Sequence, residues 1–297
     1  MAVLLKSGGE AELRRMGCSM DGPPRFPFTP FPSGWFRVAA SRQLGVGQRL
    51  RKRYFDRELL IARDRDGHAS IHQGTSSLPV QEVNGQIMLY FGGDPIWRMP
   101  QLAEYQSAGW SHRGCANHWP ALRTHVQEIA ENAVDVAHLS RLHSQQIRDS
   151  QTDHFSADGP IFQHRIEVRY NVFKLARWLR TEVTGTVETT CCGLGCVATH
   201  SVVRARGLGL DYLYMFYATP IDEDTVEFNT ALSARCSVGR RWLGWLLMAK
   251  AQREAQVMVD QDMGILESKL YRERPTLCDG DGPIMEFRRW ARQFYPG

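Results

Sequence analysis

Short runs in which apolar and polar residues alternate, or in which β-branched and aromatic residues gather, recur along the chain and predict strands. Trp35–Ala39, Arg51–Phe55, Glu58–Ala62, Pro79–Val83 and Gln86–Phe91 form a first group, separated by Gly45-Val-Gly47, Asp66-Gly67 and Asn84-Gly85. Asn-Gly between two such runs is a strong hairpin signal, because both central residues of that turn take positive φ. These five strands predict a small all-β unit. Around Gln127 the period becomes helical and runs to about His143, with Ile129, Ala130, Ala133, Ala137 and Leu142 for an apolar stripe. Five further strands follow at Ile166–Phe173, Arg180–Thr189, Val197–Arg204, Leu210–Ala218 and Val226–Arg235. Both faces of Asp211–Ala218 are apolar or aromatic, which places that strand inside a sheet covered on each side. A long helix is predicted over Gly239–Tyr271, whereas Ser144–Gly159 carries no readable pattern. Residues 1–25 lack periodicity and read as a flexible leader, followed by a proline-rich approach to Gly34 that cannot be helical. The predicted class is α+β, with a β unit over 26–100 and a larger unit of antiparallel sheet and helices over 101–297.

The composition narrows the function classes. A chain of 297 residues, 43% hydrophobic and 23% charged, is an ordinary globular protein rather than a disordered tail, a disulfide miniprotein or a fibre. Seven cysteines are odd in number and sparse for a secreted framework, which predicts reduced thiols and a cytoplasmic setting. The formal charge of +4 is modest, and its clusters, Arg49–Arg53 and Arg288-Arg289, are short enough to be solvated faces. No nucleic-acid partner is therefore expected. Ala2–Leu5 is too short for a secretory core, and Trp242–Ala249 is less than half a bilayer span and reads as the start of a buried helix. No membrane partner is expected either.

The chemistry concentrates in Glu131-Asn-Ala-Val-Asp135-Val-Ala-His138-Leu-Ser-Arg-Leu-His143. On an ideal helix two residues five apart point about 140° away from each other. His138 and His143 therefore reach one metal only if the helix is bulged or ends between them, and such irregularity is frequent at functional sites. Asp135, three residues before His138, is placed to orient that imidazole. On the bare spacing alone, a satisfied pair of core histidines is the better explanation. The metal reading gains from the second helix, where Asp262 falls in line with Ala255, Met258 and Ile265, while Asp260 lies with Arg253, Gln256, Gly264 and Glu267 on the wet face. A carboxylate on an apolar stripe is costly unless paired or metal-bound. His138, His143 and Asp262 make the two-histidine, one-carboxylate set associated with non-haem Fe(II).

These residues, with Gln261-Asp-Met-Gly-Ile-Leu-Glu-Ser-Lys269 downstream, resemble the catalytic domain of the Rieske non-haem iron oxygenases. The likeness is greatest to the branch of the 3-ketosteroid 9α-hydroxylase oxygenase component and the cholesterol 7-desaturases. Leu277–Tyr295 is similar to that branch's C-terminus, and Gly34-Trp35-Phe36 and Glu82–Gly85 to its N-terminal region, so the resemblance runs from about residue 30 to the end. It implies a helix-grip catalytic domain preceded by a Rieske-like β domain. It also implies mononuclear Fe(II) on His138, His143 and Asp262, and catalytic roles for Asp135 and Asn132, with Asp135 bridging to a neighbouring subunit's cluster. The departure is as informative. The family holds its [2Fe–2S] cluster through C-x-H and C-x2-H, yet no histidine here has a cysteine two residues before it. The one C-x2-H, Cys115–His118, lies beyond the β unit, and His68 and His72 read as loop remnants. Cys191-Cys192-Gly-Leu-Gly-Cys196 with His200 lacks zinc-site spacing and reads as a turn. The β domain is thus expected to be degenerate, with no cluster ligands and no [2Fe–2S] cluster.

Three functions remain open. The iron site performs oxidation in specialised metabolism, with electrons from a reductase, a cluster-bearing homologous subunit or the substrate. Alternatively the pocket serves a non-redox cyclisation or rearrangement, or the chain is a non-catalytic partner of an active homologue. Oxidation ranks first because all three ligand types are retained. Tyr212, Tyr214, Phe216 and Phe228 either line a pocket for a large hydrophobic polyketide, terpenoid or steroid-like substrate or are plain core. A homo-oligomer is compatible with the chain, although the cluster-to-iron contact that organises the family's rings is missing.

Overall fold

The structure is a computed structural model, and it describes residues 25–144, 147–170, 183–205, 208–236, 241–278 and 280–295. The leader expected over 1–25 lies outside these residues apart from Arg25, as do the ends at Phe173 and Arg180 of two predicted strands and the Gly239 start of the long helix.

Among the described residues, seven strands precede residue 92. Strands β1 (Gly34–Ala40), β6 (Val80–Val83) and β7 (Gln86–Phe91) pair antiparallel in the order β1-β7-β6. Strands β2 (Arg49–Tyr54), β3 (Arg57–Arg63), β4 (Ala69–Gln73) and β5 (Ser76–Leu78) form a second meander. Asn84 and Gly85, at φ 52° and 72°, make the hairpin turn that their sequence predicts. β4 and β5 were not expected: only Ile71 of β4 is fully buried, and a three-residue polar strand has no pattern to read. His72 consequently sits on a strand rather than in a loop remnant, while His68 lies at a turn.

The second half is one antiparallel sheet in the order β8-β14-β13-β12-β11-β10-β9. Its strands are β8 (Ser111–Leu122), β9 (Ile147–Asp158), β10 (Ile161–Tyr170), β11 (Val183–Cys192), β12 (Cys196–Ala205), β13 (Leu208–Pro220) and β14 (Val226–Cys236). β13 is interior, as its two-sided apolar sequence predicts. The two edges, β8 and β9, escaped the sequence reading for one reason. An edge strand needs no continuous apolar face, so β9 is exposed along most of its length, and β8 tolerates Gly114 and Pro120. β9 occupies the stretch read as patternless.

β8 and β9 are consecutive strands at opposite edges of the sheet, about 29 Å apart for six strand spacings. The chain between them carries helices α1 (Val126–Asn132) and α2 (Ala137–Leu142). After β14 come the long helix α3 (Arg241–Ser268) and the short α4 (Ile284–Ala291). The side chains of 241–248, where a buried helix start was expected, lie outside the described set, and Ala249 beyond them is exposed. Gln252 fastens α3 to β8, donating to the Ala116 carbonyl at 2.9 Å and to Asn117 Oδ1 at 3.2 Å. Among the described residues no helix is long and apolar enough to cross a membrane.

One hydrophobic core runs through both halves, from Phe36, Ile61, Ile71 and Leu89 to Phe162, Val197, Phe228, Phe287 and Trp290. Glu227 on β14 joins them electrostatically: it accepts from Lys52 Nζ on β2 at 2.8 Å and from Asn229, and it lies 3.9 Å from Arg37 Nη1 on β1. A Cβ on Gly195, in the β11–β12 turn, would come within 2.4 Å of the Trp35 carbonyl. Only glycine permits that approach of the two sheets.

Candidate metal centre

His125 caps α1, its Nδ1 accepting from the Gln127 amide at 3.1 Å. Burial pushes this imidazole down to about 4, so it is neutral and free to accept. The helix stops at Asn132 and does not continue to His143 as predicted. The Val136 amide leaves the helical ladder and donates to the Asp281 carbonyl at 3.2 Å. The adjoining Gly282, at φ 83°, lies so close to the break that a Cβ would be 2.6 Å from the Val134 carbonyl. A loop from the C-terminal tail therefore packs on the chain at the break, and α2 starts at Ala137.

α2 ends at Leu142, between the two histidines, and His143 follows at φ −97°, ψ 30°. The end of the helix brings the imidazoles together, with ring centroids 5.2 Å apart at 79°. Asp262 on α3 completes the group: one ligand atom from each of His138, His143 and Asp262 lies within 4.8 Å of the others. The face of α3 differs from the predicted stripe. Val259, Asp262 and Leu266 are buried, whereas Met258 is half-buried, Ile265 is 48% exposed, and the Ala255 side chain lies outside the described set. Asp262 is common to both three- and four-residue series, so its burial survives the rotation of the stripe. Asp260 lies on the wet face as expected, accepting from Gln256.

Hydrogen bonds fix which atoms face the centre. His138 Nδ1–H donates to the Asp135 backbone carbonyl, and Asp135 Oδ1 accepts from the His138 amide at 3.3 Å. Asp135 thus orients the imidazole through its carbonyl, not through its carboxylate as expected, while the carboxylate accepts from a backbone amide of α2. His143 Nδ1–H donates to Gln261 Oε1 at 2.9 Å. Asn132 Nδ2 donates to Asp262 Oδ2 at 3.2 Å. The other oxygen, Oδ1, is buried without a hydrogen bond, and His143 Nε2 lies 3.3 Å from it. A neutral imidazole that donates through Nδ1 presents a lone pair at Nε2, so two acceptors face each other and call for a proton or a cation between them. Burial alone would lower the affinity of His143 for a proton, but Asp262 and Gln261 outweigh it and raise its pKa. For His138 burial wins and lowers it. Burial raises the Asp135 carboxyl, against the pull of His138. The donor set, two imidazoles and a carboxylate with an orphaned oxygen, suits a divalent first-row metal.

A buried ion cluster below the centre ties its parts together, and no pattern in the sequence announces it. Glu131 receives both Nε and Nη2 of Arg288, at 2.7 and 2.8 Å, and Lys269 at 3.2 Å. Lys269 also pairs with the fully buried Glu128. Lys269 follows the last residue of α3, seven positions after Asp262, and its amide still donates to the Ile265 carbonyl, so α1 meets α3 and its end at two levels, Asn132 on Asp262 and the glutamates on Lys269. Arg25 closes the C-terminal end of α3, donating to the Leu266 and Lys269 carbonyls.

The other candidate residues lie on the strands of the large sheet. Tyr212, Tyr214, Phe216 and Phe228 share the sheet face toward α3, with Tyr214 and Phe228 buried and Phe216 stacked between them. Asn117 Nδ2 donates to the Tyr214 hydroxyl at 3.4 Å. Cys191 points into one core and Cys192 and Cys196 into another, and burial pushes the Cys192 thiol up to about 12. His200 lies 3.4 Å from Glu104 instead, and His118 lies 3.5 Å from Glu227.

Known proteins resemble this chain in sequence and fold. A cholesterol 7-desaturase of Ciona intestinalis is 25% identical over 352 aligned residues, covering 95% of this chain and 71% of that protein. The 3-ketosteroid-9-alpha-monooxygenase oxygenase component of Rhodococcus rhodochrous is 25% identical over 246, covering 72% of this chain and 56% of that one. Dicamba monooxygenase bound to 3,6-dichlorosalicylic acid superposes with a TM-score of 0.70 at 14% identity, over 90% of this chain and 98% of that one. Residues 91–295 match the family described as the 3-ketosteroid 9alpha-hydroxylase C-terminal domain. The chain belongs to that family, within the Rieske oxygenases.

Proposed function

We propose that this chain is an oxidoreductase that holds one Fe(II) on His138, His143 and Asp262 and oxidises a large hydrophobic, sterol-like molecule with electrons from outside the chain. The observation that carries the reading is the convergence of two imidazole lone pairs and an orphaned carboxylate oxygen in a buried site. Iron bound there supplies the redox chemistry by which dioxygen oxidises a substrate. The protein's own part is positional. Asn132 holds one oxygen of Asp262 and leaves the other for the metal, and Asp135 fixes the ring of His138. The sheet face bearing Tyr212, Tyr214, Phe216 and Phe228, gripped by α3, supplies an apolar wall with a hydroxyl at Tyr214.

Relatives named as a desaturase of cholesterol and a monooxygenase of 3-ketosteroids support a sterol-like substrate. Both names describe oxidation, so the non-redox reading is set aside. The missing C-x-H motif supports an external electron source, a reductase or a cluster-bearing subunit. So does the alignment with the Ciona protein: its 352 positions exceed the 297 residues here, so that relative carries segments with no counterpart in this chain.

Iron analysis of protein purified with Fe(II), beside His138→Ala and Asp262→Ala, tests the site, and both variants are expected to lose the metal. Turnover of a sterol with a Rieske-type reductase and a cluster-bearing oxygenase supplied is expected to require oxygen. Conversion by iron-free protein without oxygen overturns the reading.

A further inference from the structure

We infer that Gln261 is a positioning residue that sets the tautomer of His143 and so makes its Nε2 a metal ligand; the inference rests on the metal reading above.

The two histidines of the centre are oriented by different means. His138 donates to a backbone carbonyl, that of Asp135, which no side-chain change removes. His143 has no such anchor and donates to the side chain of Gln261. Gln261 and Asp262 are consecutive on α3, and the imidazole lies across both. Its Nδ1 is 2.9 Å from Gln261 Oε1, and its Nε2 is 3.3 Å from Asp262 Oδ1. An imidazole facing an aspartate has two neutral forms. With the proton on Nε2 it donates to Asp262, satisfies the orphaned oxygen and offers the metal nothing. With the proton on Nδ1 both Nε2 and Oδ1 are bare. Water would weigh little between these forms, because His143 is 2% exposed. The acceptor at Nδ1 decides, and Gln261 is that acceptor.

The choice of an amide also sets the charge. A carboxylate here would select the same tautomer but would place a second negative charge beside Asp262, one residue away. An amide oxygen accepts from Nδ1–H without adding to the charge of the centre, so the ligand set keeps the single negative charge of Asp262. Removal of an acceptor of this kind typically weakens metal binding 10–100-fold.

Zn(II) serves as a diamagnetic probe, with affinity read by competition against a chelator and histidine nitrogens read by 15N NMR of the full chain. In the wild type His143 is expected to carry its proton on Nδ1 and to bind Zn(II) through Nε2. Gln261→Leu is expected to bind Zn(II) 10–100-fold more weakly, and Gln261→Glu to return the affinity to within a few-fold of wild type or above it. A merely structural role would not be rescued by a charged side chain of the same shape while the apolar one fails. Coordination of the wild type through Nδ1, or equal affinity of the Leu variant and the wild type, overturns the role of Gln261 and leaves the metal site standing. A wild-type chain that takes up no Zn(II) overturns both.

Discussion

At the scale of residues, polar groups at this centre are arranged so that each hydrogen bond decides where a lone pair points. His125 shows the same economy at the start of α1, where a buried neutral imidazole replaces the usual short polar cap. Its pKa falls from the ordinary 6.5 to about 4 through burial, so the unfolded chain binds more protons than the folded one between those values. Stability is therefore full above 6.5 and declines as pH falls toward 4, by about 3 kcal/mol in all at 1.36 kcal/mol per unit. His164, buried on β10 and lowered likewise to about 4, adds its own share. His125→Asn keeps an acceptor at the cap and cannot titrate. Urea denaturation at pH 7.5 and 5 is expected to show a smaller stability difference in this variant than in the wild type, and an unchanged difference would refute the assignment. The three side chains that the fold brings together, His138, His143 and Asp262, were legible in the sequence, because histidine and aspartate in otherwise apolar runs are conspicuous. Gln261 was not, since a glutamine beside an aspartate on a half-wet helix is ordinary until its partner is seen.

At the scale of elements, the decisive feature is an interruption. The sequence between Gln127 and His143 reads as one helix because Ile129, Ala130, Ala133, Ala137 and Leu142 can form one apolar stripe. Asp135, whose side chain accepts from the His138 amide, is one local contribution at the break; the other contacts come from Asp281 and Gly282, nearly 150 residues later. Pattern reading therefore finds the residues of the site but not the bend that joins them. Gly282→Ala puts a Cβ both in a left-handed conformation and against the Val134 carbonyl. It is expected to cost about 2 kcal/mol or more and to weaken divalent-metal binding. Calorimetric melting with and without Zn(II) would check both, and wild-type behaviour in each would show that the tail does not hold the break. The edge strands were missed for the opposite reason, a local pattern too weak to report a structure imposed by their neighbours.

At the scale of the whole molecule, the sheet joins distant parts of the chain. Every strand from β9 to β14 pairs with its neighbour in sequence, which makes that part of the sheet a meander, but β8 pairs with β14 across more than a hundred residues. Such non-local pairing forms slowly, because the loop must close before its contacts repay the loss of entropy. Chains ended at residue 225 are thus expected to leave Ser111–Leu122 open to protease, while the full chain protects it. Protection in the shorter chain would mean that β8 finds another partner.

The crossover from β8 to β9 gives that topology a consequence for the life of the molecule. The two histidines travel on the connection between the sheet's outermost strands, the carboxylate sits on the helix after the last strand, and the brace on the break belongs to the tail. A ribosome making this chain has exported both imidazoles long before Asp262, Gln261 or Gly282 exists. During synthesis the histidines are loose donors, open to any soft metal in reach, and selectivity arrives only with the final segment. Under the proposed function, loading with iron would in that sense be a late event of maturation, and a cell that makes this protein under excess zinc or copper would be expected to collect it mismetallated.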